Sequence, residues 1–139
     1  MFIIRTLFSL ALITVVGCTS EKSVLETNLL EAAARSDSQK VTLDLSKLIT
    51  APIEKICIGG AYLLPDGLEK IAHRKISQEA MADKGEFVFW VFLANNKSIY
   101  LQLKSTKQLS YQSNLENTCT DSSILTIENH LIGFSETSK

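Results

Sequence analysis

Two histidines, three cysteines and scattered carboxylates are the reactive side chains of this 139-residue sequence. His73 follows an apolar-faced segment and is flanked by Arg74, and His130 sits in a polar turn. Either could serve as a general base, because imidazole changes charge near neutral pH, but solvated surface histidines are the preferred reading. Asp66 and Glu69 have the spacing of a carboxylate pair that divides acid and base work. The same spacing just after Pro65 suits a helix cap and first-turn charge, which is preferred. Gly59-Gly60 would let a ligand approach the backbone, although paired glycines more often end or bulge a strand. No Gly-x-Ser-x-Gly, His-Glu-x-x-His, P-loop or dinucleotide fingerprint occurs. There is no Cys-x-x-Cys, so a zinc site is not expected. The expectation is a chain without catalytic residues, cofactor or metal.

Charge narrows the partners. The sequence carries 14 Lys and Arg against 15 Asp and Glu, and its longest basic run is Arg74-Lys75. A nucleic-acid binder needs a basic face, so nucleic acid is not an expected partner.

The first eighteen residues say where the protein goes. Arg5 is followed by an apolar run, Thr6–Val16, and then by Val15-Val16-Gly17-Cys18. This resembles the signal peptide and lipobox of bacterial lipoproteins. A transmembrane helix fits less well, because about 12 apolar residues span roughly 18 Å of a bilayer core about 30 Å thick. An ordinary secretory signal would want a small residue where Val15 stands. A cytosolic core helix would show a polar face, and Leu7–Val16 has none.

The resemblance implies that residues 1–17 are removed and that Cys18 is acylated at the new N-terminus. Two or three acyl chains hold a protein on a membrane where one is marginal. Thr19 and Ser20 lack the aspartate with which that family is retained at the inner membrane. The implied address is therefore the outer membrane, facing the periplasm. Cys57 and Cys119 are then left over in an exported domain, and two such cysteines usually pair. Closing a loop of about 60 residues contributes roughly 4 kcal/mol in the chain-entropy treatment.

The elements that must position these groups follow from periodicity. Residues 18–39 read as a lipidated tether with helical tendency, carrying a capping box at Ser23–Glu26. A single globular domain is expected over 40–136. Val41, Leu43 and Leu45 alternate with polar residues, as a half-buried strand does. Ile53–Ile58 is a second strand, and Leu68, Ile71 and Ala72 mark one face of a short helix. A further helical turn is expected over Ser77–Ala82. Glu86–Ala94 is apolar at nearly every position, the pattern of a strand buried on both faces. Ser98–Lys104 returns from it, Leu109–Gln112 adds a strand, and Ser113–Asp121 reads as a polar loop bearing Cys119. Ile124–Ile127 and Leu131–Phe134 form a closing hairpin. The expected fold is α+β, one curved antiparallel sheet of about six or seven strands with one or two short helices, a small barrel being the alternative.

One strand poses a question of function. An even-length hairpin loop would place Val88, Trp90 and Phe92 with Ile99, Leu101 and Leu103 on the core face. Phe87, Phe89, Val91 and Leu93 would then share a second face with Tyr100, Gln102 and Lys104. An odd loop reverses the assignment. Cover by Leu68, Ile71 and Ala72 is the plain expectation for the second face. The alternative makes Phe87, Phe89, Val91 and Tyr100 a partner-binding surface; the Trp90 cluster could line a ligand-binding groove, although core packing is the preferred reading. The class that fits is a lipid-anchored binding protein: an assembly accessory, an inhibitor of lysozyme-like enzymes, or an immunity protein. A small periplasmic hydrolase or envelope-modifying enzyme is the alternative.

Overall fold

The computed structural model describes residues 20–76 and 81–135. The signal segment, Cys18, Thr19 and most of the helical turn expected from Ser77 lie outside the described residues. Helix α1 (Glu21–Arg35) opens at Ser20, whose hydroxyl accepts the Ser23 N–H at 3.2 Å. The cap therefore stands three residues before the expected box, and Ser23 is the donor to it.

Leu25, Leu29, Ala32 and Ala33 make one apolar stripe along α1, and all four are buried. The tether expectation for residues 18–39 is corrected on this point. A helix of fifteen residues with a buried stripe is held by tertiary packing and not by its own marginal propensity. The folded unit thus reaches back to α1 instead of starting near Lys40. At its far end Ser36 is buried and tied down. The Ser36 hydroxyl donates to the Ala33 carbonyl at 2.7 Å and accepts the His130 N–H at 2.9 Å.

Among the described residues eight strands follow: β1 (Val41–Asp44), β2 (Ile53–Gly59), β3 (Glu86–Leu93), β4 (Ser98–Lys104), β5 (Ser110–Tyr111), β6 (Thr118–Thr120), β7 (Ile124–Glu128) and β8 (Leu131–Phe134). Helix α2 (Pro65–Ala72) lies between β2 and β3. The fold is α+β, as expected, but the strands divide into two open four-stranded sheets. One runs β1-β7-β8-β5 and the other β4-β3-β2-β6. All pairings are antiparallel except β5 with β8. Among the described residues no helix is long and apolar enough to cross a membrane.

Two apolar clusters explain the layering. The larger lies among α1, the inner faces of both sheets and the segment after β1. It holds Leu25 and Leu29 with Phe87, Phe89, Val91, Leu125, Ile127 and Ile132. The smaller lies between the other face of β2–β3 and α2, joining Trp90, Phe92, Val88 and Cys57 to Leu68 and Ala72. Strand β3 is thus buried on both faces, as its unbroken apolar run requires.

The β3–β4 turn decides which face is which. The Leu93 N–H donates to the Lys97 carbonyl at 2.9 Å. Three residues therefore close the loop, with Asn96 at φ 62° in the left-handed region that Asn tolerates. The loop is odd, so Phe87 faces Leu103, Phe89 faces Leu101 and Val91 faces Ile99. Trp90 pairs with Tyr100 on the opposite face.

Candidate partner-binding surface

The odd register overturns the expected interface. Phe87, Phe89 and Val91 are fully buried beneath α1 and the second sheet. They are core and cannot meet a partner. Their cover is α1, in the segment expected to be a tether. The helix expected to cover them, α2, covers Trp90, Phe92 and Val88 instead. Trp90 and Phe92 stack with centroids 5.7 Å apart, so this cluster is packed core and not a groove.

Tyr100 is half-buried, apart from the other three residues of the expected surface. Its ring lies 4.8 Å from Trp90, and the Lys22 ammonium sits 4.7 Å from the ring centre. A cation over an aromatic face is attracted by its quadrupole.

Cys57 and Cys119 form a disulfide across β2 and β6. The stretch expected to be a loop carries β6, a three-residue edge strand, because the bridge and three register pairs hold it to β2.

The histidines stand on different elements. His73 ends α2 in the left-handed conformation, φ 55°, and is exposed. It shares an open depression of about 540 Å³ with Asp66, Glu69, Lys70, Arg74 and Lys75. The Glu69 carboxylate is engaged elsewhere, accepting the Ile76 N–H at 2.8 Å. Asp66 is no cap: the N-cap position falls on Leu64, followed by Pro65 at the first position of the helix. His130 occupies the β7–β8 turn, where Nδ1 meets the Gln108 carbonyl at 3.0 Å and Nε2 pairs with Asp37. Both of its ring nitrogens are thus occupied.

Gly59 and Gly60 close β2, and the backbone of Gly60 donates to the Asn117 side chain at 2.9 Å. A Cβ on Gly60 would clash with the Glu116 carboxylate, so protein fills the space a ligand would need.

Among the described residues two ionisable groups are shifted. The Ser46 hydroxyl, donating at 2.6 Å, holds the Asp44 carboxyl below the usual carboxylate range, with burial opposing it. Burial raises the Tyr111 phenol, whose ring packs edge-on to Phe87 at 5.0 Å.

The residues that sequence reasoning missed lie in the connections on either side of α2. Tyr62, Leu64 and Met81 are large apolar side chains that are 58%, 61% and 40% exposed. An Ala61–Ala82 bridge joins their two segments, with the Tyr62 N–H donating to the Ala82 carbonyl at 2.7 Å. Tyr62 holds φ 64°, an uncommon conformation for a bulky side chain. The signal was present as Tyr62-Leu63-Leu64, an apolar triplet between Gly-Gly and Pro-Asp-Gly, where loops are usually polar. Comparison with protein-family models, with curated proteins and with solved structures finds no match for this chain.

Proposed function

We propose that this is a lipid-anchored envelope protein whose domain binds a protein partner without catalysis. Acyl chains on Cys18 would hold it at the outer membrane of a two-membrane bacterium, facing the periplasm. The Cys57–Cys119 bridge supports an oxidising compartment. The observation that carries the binding role is the exposed Tyr62, Leu64 and Met81 on bridged segments. Exposed apolar side chains on segments bridged to each other favour a partner, and an aromatic kept in a costly backbone conformation points the same way. An inhibitor or immunity protein fits this description, and so does an assembly accessory.

The test has two arms. Mass spectrometry of the protein from membranes should find Cys18 acylated and residues 1–17 absent; an intact Met1 or an unmodified Cys18 overturns the anchor. Partner capture from envelope extract should be lost in Tyr62→Asp and Leu64→Asp while thermal unfolding is unchanged. Capture that survives both substitutions removes this surface from the proposal.

A second reading rests on the depression that places His73 near Asp66 and Glu69. A general base and a carboxylate on one surface could serve a small hydrolase. Hydrolysis of an envelope substrate, abolished in His73→Ala at unchanged stability, would favour it.

A further inference from the structure

The four edge strands are unequal. Strand β5 has two residues, β6 three and β1 four, whereas β4 has seven. Hydrogen bonds at both ends of the β3–β4 ladder set its phase. Leu93 donates to Lys97 at 2.9 Å and Ser105 donates to Gly85 at 2.8 Å. Both pairs are odd-numbered, so odd residues exchange hydrogen bonds inside the ladder. The main-chain N–H and C=O groups of Ser98, Tyr100 and Gln102 therefore point outward. Among the described residues nothing hydrogen-bonds to that row.

Proteins commonly protect such an edge with lysines or a covering element. Here Lys22, on the first turn of α1, reaches over Tyr100 and borders an open groove of about 250 Å³ with Ser98, Ile99 and Tyr100. Lys97 precedes the strand and Lys104 ends it, and both are exposed. Lysines thus stand at both ends of the edge and beside its middle, against one carboxylate, Glu86, which faces Lys104 and accepts from the Gln102 side chain at 3.2 Å; the excess of positive charge disfavours pairing with a second copy of itself.

We propose that the β4 edge receives an extended, acidic segment of a partner protein as an added strand. Only an extended main chain offers donors and acceptors at the repeat of Ser98, Tyr100 and Gln102. Carboxylates on that segment would face Lys22, Lys97 and Lys104. This goes beyond the Tyr62 surface and does not depend on it, because the two surfaces involve different residues and are tested by different variants.

The experiment uses amide hydrogen exchange on the full chain, with a capped peptide that alternates glutamate and valine. The amides of Ser98, Tyr100 and Gln102 should exchange about tenfold more slowly with peptide present, while odd-numbered β4 amides change little. A lysine–valine peptide should bind about tenfold more weakly, and added salt should narrow the gap. Gln102→Pro removes one outward donor without touching the ladder and should abolish the protection. Lys22→Glu, on an exposed position, should weaken the glutamate peptide relative to the lysine one, which keeps the test intact if the proline variant does not fold. Unchanged exchange at saturating peptide overturns the proposal. Equal binding of both peptides overturns its acidic character. Dimerisation of the protein that itself protects these amides assigns the edge to a second copy and overturns it as well.

Discussion

Cys57 stands directly opposite Cys119 on neighbouring antiparallel strands, their Cα atoms 4.1 Å apart. Cys57 exchanges its main-chain hydrogen bonds with Trp90 on the other side, so the cysteine pair occupies a non-hydrogen-bonded site, where side chains approach most closely. Without the bridge, β6 keeps only three register pairs at a sheet edge. Replacing both cysteines by alanine should lower unfolding stability by up to about 4 kcal/mol. Denaturant unfolding with and without reductant measures it, and amides of β6 should lose protection first. No difference between oxidised and reduced protein would show that the bridge stabilises nothing.

Phe89 is the most stringent test of the core. It is fully buried between α1 and the second sheet and faces Leu101. Phe89→Ala should cost about 3–5 kcal/mol. Phe89→Asp should prevent folding, because an unpaired carboxylate in a core is very costly. Circular dichroism and thermal unfolding decide both. A folded Phe89→Asp protein would contradict the layering described above.

Helix α1 separates a core element from a tether in one measurement. Leu25→Ala and Leu29→Ala should each cost about 2–5 kcal/mol, since both side chains are buried. A free tether would tolerate them without loss. Glu26→Ala, on the exposed face of the same helix, is the control and should change stability by less than about 0.5 kcal/mol.

Tyr62 should show stability and binding moving apart. At φ 64° a glycine is less hindered than tyrosine. Tyr62→Gly should leave stability within about 1 kcal/mol of the parent, in either direction, while partner capture falls. A large destabilisation would assign Tyr62 a packing role instead.

Asp44 makes a testable contribution to acid stability. Its folded-state pKa is lowered, first by the Ser46 hydroxyl and further by the Ser46 N–H and the Ser123 hydroxyl, against burial. A depressed carboxyl contributes stability that is complete above the unfolded-state pKa and is lost as pH falls through the folded one. The loss should therefore begin below about pH 4. Asp44→Asn should flatten the acid limb of stability against pH and leave its shape near neutrality unchanged. The effect should be small, because the carboxyl lies close to solvent.

Local pattern alone made most elements legible. Alternation in Val41–Leu45 and Ser98–Lys104, the apolar run of β3 and the breakers at Asn95-Asn96 and Glu128-Asn129-His130 need no distant partner to be read. The pairing of Cys57 with Cys119 followed from counting, once Cys18 was assigned to the lipobox resemblance. What the local pattern left open is what each element faces. A single residue in the β3–β4 loop reverses which side chains of β3 meet α1, because strand side chains alternate with period two. Leu25, Leu29, Ala32 and Ala33 form a stripe whose burial depends on sheets that close more than fifty residues later in the chain. The three residues of β6 have no strand pattern of their own, and pairing with β2 makes them one. The exposure of Tyr62 and Leu64 is a tertiary outcome too: apolar residues in a loop are buried or left bare by what packs around them, and their side chains carry no mark of which.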